Sequence, residues 1–534
     1  MVFSSFISVM RLLRFKRLFI LSSWLLTFNA TAQILQPHRF EHEQKNYDDY
    51  YHVISLREKG LALFRDKEKY KNNNKLWELV FLDTTLNKTA TLELEILHRH
   101  RMLGYEIADD RLYFLFRTGE TTKNDLALIE VSYAGKEIAR YEVKPELDLR
   151  ITHFIKAGDN FIFGGYVNNE AVIVLFEPET KNMKVIPGFF QKDTELVDLR
   201  TNQNQTFNTV LINRGLRGER KMIFRTFDST GKQLLEDVIQ IEEDMTLQTG
   251  ITSALKREDL LVAGTWGDRN SKQSHGFYAV SVDPFSEQKI QYIDFGRLNH
   301  FVDFLKEKRA SKIKENAKED AKAGNDPSFT SYVMPFRIAE NNSGFYLLAE
   351  VYNPSSTASM NGPYPYPNNP YGPYPYWPGG FYYPGLSRMY RPYMYGQQTN
   401  STDVKTLATV LVSFDGNGQV KWDQSIKVED INLPGVEQIS DFTVTNEKAF
   451  LIYKKESELK VKTVVLGDDA STELTEKVKT LEDADVIRSE KESENGVRHW
   501  YKNSFYVWGY QTIKNATRED RVRDVFYINR VDLY

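Results

Sequence analysis

LALF (61–64), LYFLF (112–116), FIFGGY (161–166), TVLIN (209–213), LLVAGTWG (260–267), FYLLAEVY (345–352), AFLIYKK (449–455) and FYVWGY (505–510) are eight versions of one short apolar segment. Their starts are 51, 49, 48, 51, 85, 104 and 56 residues apart. Each is too short and too rich in Phe, Tyr, Leu and Val for a surface helix and reads as a strand buried on both faces. Around the second copy the chain supplies three more strands: GYEIADD (104–110) before it, NDLALIEVS (124–132) after it, and EIARYEV (137–143) beyond a tight turn. Four strands joined by short turns, repeated about every 50 residues, define a β-propeller blade. The expected fold is all-β: an eight-bladed propeller of four-stranded antiparallel blades.

The blades fall at about 50–97, 104–143, 151–189, 195–241, 249–295, 329–428, 437–480 and 496–534. The last unit ends one strand short. The segment QILQPHRF (33–40) precedes the first unit and is expected to supply the missing strand, closing the ring and hiding its final edge. Cutting the chain's last eleven residues should then be badly tolerated. The turns FDSTGKQ (227–233) and FDGNGQ (414–419) are hairpin signals. Asp109, Asp110, Asp159 and Asp259 recur just before second strands, which indicates turn chemistry rather than catalysis.

The two long intervals contain insertions. In 298–326, Leu298, Phe301, Val302 and Leu305 recur at helical spacing and are followed by a Lys/Glu/Ala-rich run that Gly324 and Pro327 stop. An amphipathic helix is expected, its first turns packed on the propeller. In 353–400, PYPYPNNPYGPYPYWPGGFYYPG (363–385) is too rich in Pro and Gly to build a core.

The 534 residues hold 41% apolar and 27% charged side chains and no cysteine. Disulfides, thiolate metal sites and cysteine nucleophiles are excluded. Residues 1–32 read as a secretory signal: Arg11, Arg14, Lys16 and Arg17 without an acid, the apolar run LFILSSWLLTF (18–28), and small residues at Ala30 and Ala32. Its removal takes the formal charge from −4 to −8 and leaves 33–534 as the propeller. An acidic chain does not suit a nucleic-acid partner. No transmembrane span is expected after cleavage, and a disulfide-free exported chain suits a bacterial periplasm or cell surface.

No phosphate-binding Gly loop, HExxH or GxSxG motif is present. His52, His153 and His499 fall on innermost strands that line the channel. Three imidazoles there are candidates for an anion or a metal, against the reading that they differ in height and serve only hydrogen bonds; no metal or other cofactor is assigned. Trp266, Asp268 and Arg269 form a turn after a second strand, read either as a sugar platform or as a turn whose Trp packs on the blade. The aromatics of the Tyr/Pro insertion, Tyr366, Tyr374, Tyr376, Trp377, Tyr382 and Tyr383, are the main binding candidates, because exposed aromatics mark contact surfaces.

The motifs FDGNGQVKW (414–422) and FDSTGKQL (227–234) resemble the strand-turn-strand units of bacterial exported propellers with quinoprotein-like or YVTN-like repeats. The tryptophan motif that quinone-dependent dehydrogenases repeat in every blade occurs once, at Trp422. The expected function is a non-enzymatic binding or scaffolding module of the cell envelope, with a protein, a cell-wall polysaccharide or a membrane surface as partner. The alternative is an exported carbohydrate-active hydrolase or lyase acting at the channel mouth.

Overall fold

In the computed structural model the eight apolar segments are the second strands of eight antiparallel sheets set in a ring. The structure describes residues 33–534 except 46–49, 120–124, 135–136, 169, 190–193, 214–219, 243–244, 254–259, 269–270, 272, 283–287, 342, 355–387, 390–403, 434–435, 468–469 and 492–493. Blade 1 is typical: His52–Ser55, Leu61–Lys71, Asn74–Leu82 and Lys88–Leu97 pair in chain order from the channel outward. Asp109 and Asp110 both take positive φ in the blade 2 hairpin, the backbone a two-residue turn needs.

The double-sided apolarity of the second strands has a direct cause. Successive side chains point to opposite faces, and each face meets another blade. Leu61 and Leu63 pack towards Tyr506 and Phe526 of blade 8, whereas Ala62 and Phe64 pack towards Leu112 and Phe114 of blade 2. The Phe64 and Phe114 rings stack at 4.4 Å. Burying a side chain of this size contributes about 1.5–3 kcal/mol. Every seam of the ring carries such a cluster.

Polar groups then lock the seams. The sixth residue of the repeat is Tyr166, Glu350, Lys454 and Tyr510 in blades 3, 6, 7 and 8, and each reaches the following blade. Tyr166 Oη accepts the Leu196 N–H at 3.0 Å, and Tyr510 Oη accepts that of Tyr51 at 2.6 Å. Glu350 Oε1 accepts the N–H groups of Ile439 and Ser440 at 2.9 and 3.0 Å. Lys454 pairs with Glu490 in full burial.

Blade 8 is closed by the N-terminal strand, which runs Ile34–Glu43 and pairs antiparallel with Val522–Leu533. Its polar side chains are tied in. Gln36 donates to the Lys477 carbonyl and accepts from the Lys479 N–H and Asn529. Arg39 pairs with Glu41, and Arg523 bridges Glu41 and Asp485. The innermost strand of this blade comes in two pieces, Val486–Glu490 and Gly496–Tyr501, which share the edge of Ser504–Lys514. The first piece lies in a stretch that the sequence reading left between blades.

The helical insertion differs in detail from expectation. The helix runs Glu307–Ala323, not from Leu298. Leu298, Phe301 and Val302 are buried, but in turns that wedge between blades 5 and 6. Phe301 stacks on Phe295 at 4.2 Å, and Asp423 accepts the Asn299 and His300 N–H groups at 2.8 and 2.7 Å. Lys306 is extended, which separates this wedge from the helix. Side-chain spacing alone does not distinguish consecutive turns from a helix. Gly324 ends the helix in the left-handed conformation, its N–H bonded to the Asp320 carbonyl.

Candidate functional site

In a four-stranded meander, the loops joining strands two and three emerge at the same end of the ring as the connections between blades. Both insertions are of these two kinds. The helical one joins blade 5 to blade 6, and the Tyr/Pro one joins Gly344–Pro354 to Val404–Phe414, the second and third strands of blade 6. The turn after Trp266 joins the same two positions in blade 5. All three therefore share one face, here termed the upper face, on neighbouring blades.

The base of this region is well built. Ser274 forms a β-bridge with Ser331, where the chain returns from the helix. Gln248 gathers the turn by donating to the carbonyls of Ser271 and Gln273 at 3.0 and 3.2 Å. The helix lies against Gly296, where a Cβ would stand 2.7 Å from the Ala317 Cβ. Its second turn is linked to the wedge through Asp303, which holds Lys314 at 2.9 Å and His300 at 2.7 Å. Partial burial pushes the Asp303 carboxyl up, but its hydrogen bonds with Lys314 and His300 outweigh this and keep it below its ordinary range. Pro354 pairs with Val404, so the Tyr/Pro insertion leaves and re-enters the blade at one point.

Tyr366, Tyr374, Tyr376, Trp377, Tyr382 and Tyr383 lie outside the described residues, as does Arg269. Within the insertion, the backbone of Arg388–Met389 is described, and it pairs with Gly104–Tyr105 on the innermost strand of blade 2.

Trp266 is 4% exposed. It stacks on His275 at 5.5 Å and meets Tyr292 edge-on, so it offers no free face to a sugar ring. It is a core residue of the blade 4–5 seam, and the platform reading of Trp266 fails for that reason. Asp268 lies 3.0 Å from His275 Nε2.

The three channel histidines are not brought together. His52 and His153 pair with Phe64 and Gly164, the fourth residues of their repeats. His499 pairs with Phe505, a first residue, which sets it about 10 Å nearer the lower end at roughly 3.3 Å per residue. His153 meets Thr152 Oγ1 at 2.8 Å, and His499 meets the Lys502 carbonyl at 2.7 Å. Burial lowers the pKa of both His52 and His153 to about 4, so both are neutral at pH 7. Among the described residues no group of three His, Asp or Glu side chains is placed to hold a metal ion.

The sequence reading missed the buried carboxylates. Asp198 and Asp441 occupy matching places on the innermost strands of blades 4 and 7. Each is bonded to an N–H of its own strand and one from the next blade: Leu199 and Thr252 for Asp198, Phe442 and His499 for Asp441. Arg337 also pairs with Asp441. These acids hold seams. The available signal was a polar residue at one place in an otherwise apolar repeat.

No protein-family model and no curated protein matches the chain. Among solved structures it is similar to the polysaccharide lyase Uly1, with a TM-score of 0.38 and 9% identity over 90% of this chain and 99% of that one. The β-propeller domain of the Trilobed protease from Pyrococcus furiosus gives a TM-score of 0.32 and 10% identity, over 81% and 93%. At TM-scores this low the likeness carries nothing about family or activity. No helix among the described residues is long and apolar enough to cross a membrane.

Proposed function

We propose that this propeller is a non-enzymatic binding or scaffolding module of the bacterial cell envelope, and that it engages a protein or cell-wall polysaccharide through its upper face over blades 5 and 6. The observation that carries this reading is topological: the two departures from the repeat rise on the same face of adjacent blades, from a base tied by the Ser274–Ser331 bridge. Loops on a rigid ring are where propellers of unrelated activity place their contacts. Four of the buried acids, Asp198, Asp441, Glu350 and Asp423, support the same reading, because they accept from backbone N–H groups. Export rests on residues 1–32 of the sequence.

The test joins Pro354 to Val404 by an Asn-Gly turn in place of 355–403. Since those two residues are already paired, melting should stay within a few degrees of the intact protein. Pull-downs from envelope fractions with both proteins should then lose specific partners in the shortened one. Recovery of the same partners at the same yield overturns the reading.

A further inference from the structure

The seam between blades 6 and 7 is held by a carboxylate in the sixth place of the repeat; Asp66 of blade 1 is also an acid there, but it bonds within its own blade, to Lys75 and the Glu68 N–H. In blades 3 and 8 that residue is a phenol, and in blade 7 a lysine with its own counter-ion. In blade 6 it is Glu350, which is 2% exposed and places one oxygen against three donors. Oε1 accepts the Ile439 N–H at 2.9 Å, the Ser440 N–H at 3.0 Å and the Ser440 hydroxyl at 2.6 Å. The Ser440 hydroxyl in turn accepts from Thr409 at 2.9 Å. Four residues beyond Glu350 its strand reaches Pro354, the root of the Tyr/Pro insertion.

We propose that Glu350 is a proton-controlled latch: protonated, it keeps the seam between blades 6 and 7 shut, and ionised, it lets the seam open more readily. The latch stands on the seam alone, independent of the partner reading. A carboxylate sealed among apolar strands loses its hydration, and three donors with one distant cation do not fully replace it. That cation is Arg498 of blade 8, whose guanidinium donates to the Gln438 and Val497 carbonyls. Asp441, next along the blade 7 strand, is engaged by Arg337 and the His499 N–H. Lys405 lies further up the third strand, opposite Asn353, and Glu437 precedes the blade 7 strand.

Burial raises the Glu350 carboxyl to about 7 in the closed seam, from an ordinary value of 4.5. Opening hydrates the group and restores the ordinary value. The closed form therefore holds its proton more tightly, and the opening constant rises with pH between 4.5 and 7. The full span is about 300-fold at tenfold per unit.

Hydrogen exchange reads this directly, because the Ile439 and Ser440 amides are the groups released. Peptides covering 437–444 are followed from pH 5 to 8 in the wild type and in Glu350→Gln, with rates corrected for intrinsic exchange. Protection in the wild type should fall about 70-fold over this range, while the amide variant, which keeps an acceptor oxygen, stays flat. The Leu196 amide, held by Tyr166, should stay flat in both. An equal slope in wild type and variant, or none in the wild type, overturns the proposal. Should the variant fail to fold, infrared titration of the wild type decides: a protonated-carboxyl band that disappears near neutral pH is expected, and its absence overturns the latch.

Discussion

Replacing Arg523 with alanine tests whether the ring is held shut by the polar grip on its N-terminal strand. Arg523 lies on the last strand and is 8% exposed as a side chain. Its guanidinium takes both oxygens of Asp485, at 3.0 and 2.7 Å, and reaches Glu41 of the N-terminal strand at 3.1 Å. Removing one partner of a buried pair costs about 3–5 kcal/mol, because the other charge stays buried. Here the lower end applies. Asp485 keeps the Asn515 amide and the Glu482 N–H, and Glu41 keeps Arg39. A loss of about 3 kcal/mol speeds opening of the N-terminal strand about 150-fold, since each 1.4 kcal/mol is tenfold. Hydrogen exchange of peptides covering 34–43 measures it at pH 7. The effect has a defined pH dependence. Arg523 holds Asp485 below its ordinary value against the pull of desolvation. That stabilisation is present above the unfolded value of about 4 and is lost as pH falls through the folded value. The gap between variant and wild type should thus narrow below pH 4. Arg518→Ala, on the exposed Glu482 pair, serves as control and should leave exchange unchanged. A change under tenfold in Arg523→Ala, or an equal change in the control, refutes the reasoning.

Two further perturbations separate core from surface roles. His153 is 6% exposed and neutral, with its pKa lowered from 6.5 to about 4. Stability should therefore fall as pH drops from 6.5 to 4, by up to about 3 kcal/mol at 1.36 kcal/mol per unit, and His153→Gln should lessen the slope in denaturant titrations across that range. Trp266→Ala should destabilise by about 3–5 kcal/mol through the cavity it leaves. A variant that melts like the wild type would return Trp266 to the surface role the structure denies it.

Much of the architecture was legible because its signals are local. A strand buried on both faces must be apolar throughout, and Phe64 and Leu63 show the two seams that require it. The paired Asp109–Asp110 turn and the stop at Gly324 depend on backbone conformations their own residues favour. The site was less legible. Trp266 beside Asp268 reads as a surface aromatic until Tyr292 and His275, which are distant or offset in sequence, cover its faces. The three histidines share a strand position by type, yet register places His499 below the other two. Glu350 and Asp441 sit in apolar stretches where one polar residue gives no direction, and only the next blade supplies their donors.

Repeat length, blade count and the need for a strand at the missing edge were thus determined by the sequence itself, since each follows from periodicity or from an unpaired edge within one chain segment. Tertiary structure alone decided which polar residues lock which seam and where the insertion turns from wedge to helix. Those outcomes depend on groups 30 to nearly 500 residues apart, such as Tyr166 with Leu196 and Glu41 with Arg523. Nothing in local propensity encodes such pairs; they exist only once the ring has closed.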